Sequence, residues 1–151
     1  MSLSANKLNF FLALNLPSAF FSGVRVKSIC SEKCVVRVKN SWFNKNPFKS
    51  MYWAVQGMAA ELSTGALIIA KIKDLKLNIS MLVVKNEGNF KKKVKDSVTF
   101  KCDQGIEIEK LLMLTKSTNE GQIIDLKTNG YNSKGELVTS FVFRWSLKTR
   151  K

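Results

Sequence analysis

The run from Met51 to Leu62 constrains the fold more than any other part of the sequence. It reads Met-Tyr-Trp-Ala-Val-Gln-Gly-Met-Ala-Ala-Glu-Leu, which is apolar on almost every face of a helix. A helix of this kind is either buried all round or embedded in a membrane. A membrane span needs about 20 apolar residues without ionisable interruptions, and Glu61 interrupts this run. We therefore predict a long helix over residues 50–72, buried inside the protein and capped by the Ser50 hydroxyl.

The segments on both sides of this helix favour an antiparallel sheet. Alternating polar and apolar residues predict strands at 24–30, 34–40, 78–90, 96–102, 121–131 and 136–147. Residues 132–135, Asn-Ser-Lys-Gly, are typical of a hairpin turn between the last two strands. The stretch 106–113 fits either a helix or a strand, and 116–120 is expected to be a turn. One long helix against a predominantly antiparallel sheet of about six strands is an α+β fold.

The chain contains no internal repeat, low-complexity run or linker, so we predict one domain over residues 1–151. Residues 1–23 are expected to form an N-terminal helix, from Ser4 to about Leu14, followed by a turn at Pro17. The apolar stretch 8–21 could also be the core of a signal peptide, which would make the protein secreted. Asn9, Asn15 and Pro17 interrupt that stretch and no clear cleavage site follows it. We therefore favour a cytoplasmic protein with three reduced cysteines.

The charge balance favours anionic partners. There are 25 Lys and Arg against 11 Asp and Glu, a net charge of +14. Such a field attracts nucleic acid, an anionic membrane surface or a phosphorylated small ligand. The cations are spread along the chain, and the one tight cluster is Lys91-Lys92-Lys93-Val94-Lys95, which is either a solvated loop or a phosphate site. Nucleic acid is not expected, because the three Trp residues are not interleaved with Arg as a base-stacking platform requires.

The chain has no histidine, which excludes several kinds of chemistry. Ser-His and Cys-His nucleophiles and His-metal mechanisms all need an imidazole. Cys30 and Cys34 have no second pair of ligands to complete a zinc site, so no metal is expected.

Glu61 is the residue that does not fit its surroundings. Its neighbours one helical turn away, Gly57, Met58, Thr64 and Gly65, are small or apolar. Burying an unpaired carboxylate costs several kcal/mol, and it raises the pKa toward the range in which a general base works at neutral pH. Glu61 is therefore either a working carboxylate, a group paired with a lysine across an interface, or part of a wet helix edge.

Two segments resemble a known superfamily. The segment Asn46-Pro47-Phe48-Lys49-Ser50-Met51-Tyr52-Trp53-Ala54, continuing to Glu61, resembles the helix entry of hot-dog thioesterases of the phenylacetate-pathway type. Those enzymes carry an Asn, a Gly, a His-Gly-Gly and, about two turns later, an acidic residue. The opening from Leu8 to Val26 is similar to the hot-dog family called domain of unknown function 4442. The resemblance covers most of the chain and implies a hot-dog fold, a long helix wrapped by the sheet.

The resemblance also implies a site. Glu61 falls on the catalytic acid, Asn46 on the family's Asn, and the backbone amide of Trp53 on the amide that polarises the thioester carbonyl. Lys49, Tyr52 and Trp53-Ala54 depart from the family's Gly, His and Gly-Gly. Further positions are expected to contact substrate, namely Ser50, Tyr52, Ala54, Gln56, Gly57 and Thr64. The cations Lys91, Lys92 and Lys93 are candidates for holding coenzyme A phosphates.

The helix geometry favours a homodimer or homotetramer. Trp53 and Glu61 are eight positions apart, or about 12 Å along a helix, so they cannot both act on one carbonyl from one subunit. Two antiparallel helices across a two-fold axis would bring Trp53 of one copy near Glu61 of the other. The expected function is hydrolysis of an acyl-CoA or acyl-carrier-protein thioester, with coenzyme A only as part of the substrate and no other cofactor. The alternative is a non-catalytic hot-dog module that binds acyl-CoA or fatty acid.

Overall fold

A computed structural model describes residues 3–150 of the chain. Positions 1, 2 and 151 of the predicted domain lie outside the described residues. The elements follow in the order α1 (Ala5–Asn15), α2 (Pro17–Phe21), β1 (Arg25–Ile29), β2 (Cys34–Lys39), α3 (Trp53–Asp74), β3 (Ile79–Phe90), β4 (Ser97–Cys102), α4 (Gly105–Thr118), β5 (Gln122–Tyr131) and β6 (Leu137–Thr149).

The strands form one antiparallel sheet in the order β1-β2-β4-β5-β6-β3. α3 packs against β2, β4, β5 and β6, so the sheet surrounds much of the long helix. Alternation along β2 shows the principle: Cys34, Val36 and Val38 are buried toward the helix, while Arg37 and Lys39 point to the other face. The predicted α+β fold of six strands, with a long helix and an N-terminal helix, is confirmed.

The long helix begins three residues later than predicted. Its N-cap is Tyr52, and the Ser50 hydroxyl donates to Asn46 Oδ1 at 3.2 Å instead of capping the helix. The backbone before the helix is held in an extended form by long-range bonds. The Met51 amide donates to the Val94 carbonyl and the Tyr52 amide to that of Asn44. The helix therefore starts at Trp53, because the preceding amides already have partners outside it.

Two further helices differ from the sequence prediction. The stretch 106–113, which fitted either a helix or a strand, is part of α4. This helix also includes residues 116–118 of the predicted turn, and Asn119 caps it in a left-handed conformation. Ile108, Leu112 and Thr115 form its buried face, at the spacing of one helix side. The predicted turn at Pro17 is instead the start of α2, because Pro is readily accommodated at the first position of a helix.

The two edges of the sheet differ in whether their backbone groups have hydrogen-bond partners outside the sheet. The Asn9 side chain of α1 donates to the Val26 carbonyl at 2.9 Å and accepts from the Val26 amide at 2.8 Å. It thereby replaces a neighbouring strand along part of the β1 edge. The opposite edge is β3, a 12-residue strand whose one partner within residues 3–150 is β6 and whose outer part is exposed. Within residues 3–150, no helix is long and apolar enough to cross a membrane.

Candidate functional site

The Glu61 carboxylate is half-buried in α3 and has no hydrogen-bond or ion-pair partner among residues 3–150. A Cβ atom added to Gly65 would lie 3.2 Å from both Glu61 Oε1 and the Trp145 ring. The Glu61 carboxylate and the Trp145 indole thus both border the space beside Gly65. Burial raises its pKa from 4.5 to about 7. A carboxyl group with such a pKa is divided between its acidic and basic forms near neutral pH.

Glu61 lies between two recesses. On one side is a groove of about 280 Å³, here called the carboxylate groove, which also extends to the helix entry. It is lined by Trp53, Ala54, Gly57, Met58, Glu61, Asn86, Phe141 and Phe143. On the other side is a small apolar cavity beneath α1, lined by Leu8, Phe11, Leu12, Leu16, Glu61, Leu62, Gly65, Ala66, Ile69 and Met81. Glu61 therefore lines two recesses, and both are formed mostly by apolar side chains.

Asn46 organises the loop that leads into α3. Its Oδ1 accepts from the amides of Phe48 and Ser50, at 3.0 and 3.3 Å, and from the Ser50 hydroxyl. Lys49 within this loop has a φ of 60°, the left-handed region that glycine adopts most easily. The role of Asn46 in this structure is to shape the loop.

The first amides of α3 are available for a ligand. No side chain caps the helix, and the N–H groups of Trp53 and Ala54 donate to no acceptor in the described part of the chain. They lie at the N-terminus of a 22-residue helix, where the helix dipole is positive. The Trp53 side chain is 56% exposed and packs edge-on against Tyr52, with ring centroids 5.9 Å apart. Free amides at this end of a helix favour negative charge.

A second groove, of about 340 Å³, lies beside the helix entry and is called the helix-entry groove. It is lined by Asn46, Phe48, Ser50, Met51, Trp53, Gln56, Phe90, Lys91, Lys92, Lys93 and Val94. Lys92 is paired with Glu136 at 2.9 Å, and Lys93 lies 5.6 Å from the centre of the Phe48 ring. Gln56 donates to the Met51 carbonyl, but its buried Oε1 has no partner among the described residues. An unpaired buried acceptor beside cations suits a polar ligand.

Most predicted site residues meet at these two grooves, which share Trp53. Ala54 and Gly57 lie with Glu61 in the carboxylate groove, and the lysine cluster lies in the helix-entry groove. Thr64 does not reach either groove. It is fully buried, donates to the Glu61 carbonyl at 2.8 Å and accepts from Trp145 Nε1 at 3.0 Å. This geometry gives no support to the substrate contact predicted for it.

The sequence did not point to Asn86, Phe141 or Phe143, which close the carboxylate groove from β3 and β6. They belong to alternating strands, where the two Phe residues have the pattern of ordinary core positions. No local motif marks them. Only the register of the sheet brings them opposite Gly57 and Glu61.

This arrangement, a long helix surrounded by an antiparallel sheet, is the hot-dog fold. A probable thioesterase of unknown function from Pseudomonas aeruginosa matches with a TM-score of 0.84 and 19% identity, covering 99% of both chains. A protein of unknown function from Chlorobaculum tepidum matches with a TM-score of 0.84 and 13% identity, covering 99% of both chains. A thioesterase from Haemophilus influenzae matches with a TM-score of 0.74 and 13% identity, covering 99% of this chain and 93% of the other.

The family model described as Domain of unknown function (DUF4442) matches residues 7–147. The chain belongs to this family, as the resemblance of its opening segment predicted. No curated protein matches the chain.

Proposed function

We propose that this protein hydrolyses a thioester whose acyl group is carried by coenzyme A or by an acyl carrier protein. The observation that carries the proposal is the Glu61 carboxylate, which is half-buried, has no partner among residues 3–150 and has a pKa raised to about 7. The free amides of Trp53 and Ala54 supply the second requirement, hydrogen-bond donors for a developing oxyanion. The thioesterase from Haemophilus influenzae has the same fold, which is consistent with this chemistry.

Ionised Glu61 acts as the general base in the proposed reaction. It removes a proton from a water molecule as the water oxygen attacks the thioester carbonyl. The carbonyl oxygen becomes an oxyanion that accepts from the helix-entry amides. The C–S bond then breaks, and protonated Glu61 returns its proton to the thiolate. The products are a carboxylic acid and a free thiol. Direct attack by the Glu61 carboxylate, giving a mixed anhydride that water opens, has the same overall balance.

A second copy of the chain completes the site in this proposal. Trp53 and Glu61 of one subunit are separated by about 12 Å along α3, too far for one carbonyl. β3 is the free edge of the sheet, and its Leu82 and Val84 side chains are 65% and 49% exposed. A long unprotected edge strand readily pairs with another strand. Antiparallel pairing of two β3 strands would set the two α3 helices side by side, with two equivalent sites.

The two grooves suit the two parts of such a substrate. The lysines of the helix-entry groove are suited to coenzyme A phosphates or to an acidic carrier protein, and the unpaired Gln56 Oε1 to an amide N–H of the carrier arm. The apolar cavity on the other side of Glu61 suits the acyl chain. The specific alternative is a module that binds the acyl ligand without turnover, since the bulky Trp53 side chain lies at the site where the resembling enzymes have glycine.

Thiol release from a panel of acyl-CoAs, short to long and aryl, tests the proposal. Wild type is compared with Glu61→Gln, which keeps the side-chain shape, and with Glu120→Gln, which removes an exposed carboxylate elsewhere. We expect Glu61→Gln to lower the rate by about 100-fold or more and Glu120→Gln to leave it unchanged. The wild-type rate should rise with pH up to about 7, where the Glu61 carboxyl ionises. Tight binding of an acyl ligand without turnover by the wild type would contradict the hydrolase proposal and favour the non-catalytic binding module.

A further inference from the structure

A third groove lies on the face of the sheet that points away from α3, and it is strongly cationic. This cationic groove, of about 350 Å³, is lined by Gly23, Arg25, Lys27, Arg37, Lys39 and Ser41. None of these residues lines the carboxylate groove or the helix-entry groove. Arg25 and Arg37 are directly opposite each other on β1 and β2. Two like charges in such a pair repel each other and destabilise the sheet, so their placement needs another explanation.

No carboxylate among the described residues forms an ion pair with these cations. Among residues 3–150, the ion pairs within 4 Å do not involve Arg25, Lys27, Arg37 or Lys39. The paired cations of the protein lie elsewhere, at Lys71, Lys85, Lys92, Lys101 and Arg144. Four cations therefore converge on one recess without an anion. A second copy of this chain is not a suitable occupant, because it would bring the same positive charge to the contact.

Arg37 has an unused hydrogen-bond donor. Its Nη2 donates to the Ser97 hydroxyl at 3.3 Å, but its buried Nε has no partner in the described part of the chain. A buried donor normally has a partner, so the Nε–H of this groove-lining residue is available to a ligand acceptor. The planar guanidinium presents paired N–H groups that match the oxygens of phosphate.

The groove is also held rigidly in place. Arg25 lies 3.7 Å from the centre of the Phe20 ring and donates to two backbone carbonyls. At the end of the groove, the buried Asn44 side chain donates to the carbonyls of Ser22 and Lys39, both at 2.8 Å, and accepts from the Ser41 amide at 2.9 Å. These bonds tie the C-terminal end of β2 and the following loop to the turn that precedes β1. The Arg25 guanidinium and the backbone at this end of the groove are thus preorganised, which reduces the entropy lost on binding a ligand.

We propose that the cationic groove is a binding site for a small soluble ligand bearing a phosphate or diphosphate group. The volume is within the range of small-ligand pockets, about 300–1,000 Å³. No aromatic side chain lines it, so it offers no surface on which nucleic-acid bases could stack. This site does not depend on Glu61 or on the proposed hydrolysis. A ligand bound there lies on the opposite face of the sheet from the long helix.

Isothermal titration with inorganic pyrophosphate, at about physiological ionic strength to suppress weak surface binding, tests the proposal. We expect saturable binding of one pyrophosphate per chain. Arg37→Gln should weaken it by about tenfold or more, because a charge-assisted donor to phosphate is lost. Lys39→Gln, at an exposed position that does not threaten folding, should weaken it by about threefold. As the matched control, Lys110→Gln also removes one positive charge, at an exposed position of α4 outside the groove. It should leave the affinity for pyrophosphate within about twofold of wild type.

Three results would overturn the proposal. The first is binding that Lys110→Gln weakens as much as Lys39→Gln, because that is the behaviour of the overall charge. The second is the absence of pyrophosphate binding while phosphatidylglycerol-containing vesicles are bound, which would assign the groove to a membrane surface. The third is binding of a short oligonucleotide alone, which would assign it to nucleic acid. Circular dichroism of each variant excludes a loss of fold as the cause.

Discussion

The unpaired Glu61 carboxylate should reduce the stability of the folded protein at neutral and alkaline pH. Its pKa is about 7 in the folded state, against an ordinary value of 4.5 that applies to the unfolded chain. The folded state therefore binds the proton more tightly than the unfolded state. Protonation favours folding, so the destabilisation is absent well below pH 4.5, develops between pH 4.5 and 7, and is constant above that.

The magnitude follows from the two pKa values. Each unit of pKa difference corresponds to about 1.4 kcal/mol, so the ionised carboxylate lowers the free energy of unfolding by about 3 kcal/mol above pH 7. That is a large part of the stability of a typical domain, about 5–15 kcal/mol. Replacing Glu61 by Gln removes the charge and keeps the shape. The variant should gain stability relative to wild type as the pH rises.

Urea unfolding of wild type and Glu61→Gln at about pH 5 and pH 8.5 measures this difference. We expect it to increase by about 2–3 kcal/mol in favour of the variant between the two pH values. The change with pH is the diagnostic quantity, because a buried amide has its own cost that does not depend on pH. Protein concentration is held fixed, since an oligomer would make stability concentration-dependent. Glu120→Gln is the control and should show no such change. Parallel curves for wild type and Glu61→Gln would refute the burial argument.

Three other substitutions test the structure around the site, each by urea unfolding. Thr64→Val removes the acceptor of the Trp145 indole N–H, and leaving that donor unpaired should cost about 1–3 kcal/mol; unchanged stability would mean that the bond is absent. Gly130→Ala should cost about 1–3 kcal/mol, because the added Cβ would lie 2.7 Å from the Phe100 ring, and a neutral effect would contradict that packing. Lys49→Gly should stabilise by about 1 kcal/mol or less, because it relieves a left-handed conformation at φ 60°; a loss of stability would argue against that conformation.

Local periodicity was sufficient to predict the strands and the long helix. All six strands lie within two residues of their predicted limits, because a side chain on alternate faces leaves its pattern in the sequence. The start of α3 was wrong because it depends on distant residues. Ser50 is a good capping residue, but Asn46 binds its hydroxyl and Val94 binds the next amide. Such long-range bonds leave no local signal.

The candidate site could be predicted from the sequence only where a residue differs in polarity from its surroundings. Glu61 was recognisable because burying a carboxylate in an apolar helix costs free energy, so such a residue is seldom placed there without a partner or a function. Phe141 and Phe143 are apolar residues in a strand, which is the pattern of any core position. Their place in the carboxylate groove follows from the register of the sheet alone. Arg37 was missed for a related reason. An outward-facing arginine on a strand is ordinary, and its opposite position to Arg25 is visible only in the folded sheet.

The distribution of charge supports the role proposed for Glu61. The chain has 25 cationic residues against 11 acidic ones, so there are more than enough lysines and arginines to pair with every carboxylate. Asp125 and Glu136 at the surface do have partners, Arg144 and Lys92, and their pKa values are lowered as a result. A cation beside Glu61 would lower its pKa in the same way and make it a weaker base. It would also remove most of the stability loss described above. A carboxylate that stays unpaired in a protein with surplus cations retains its basicity at the expense of stability, which is the compromise expected of a working group.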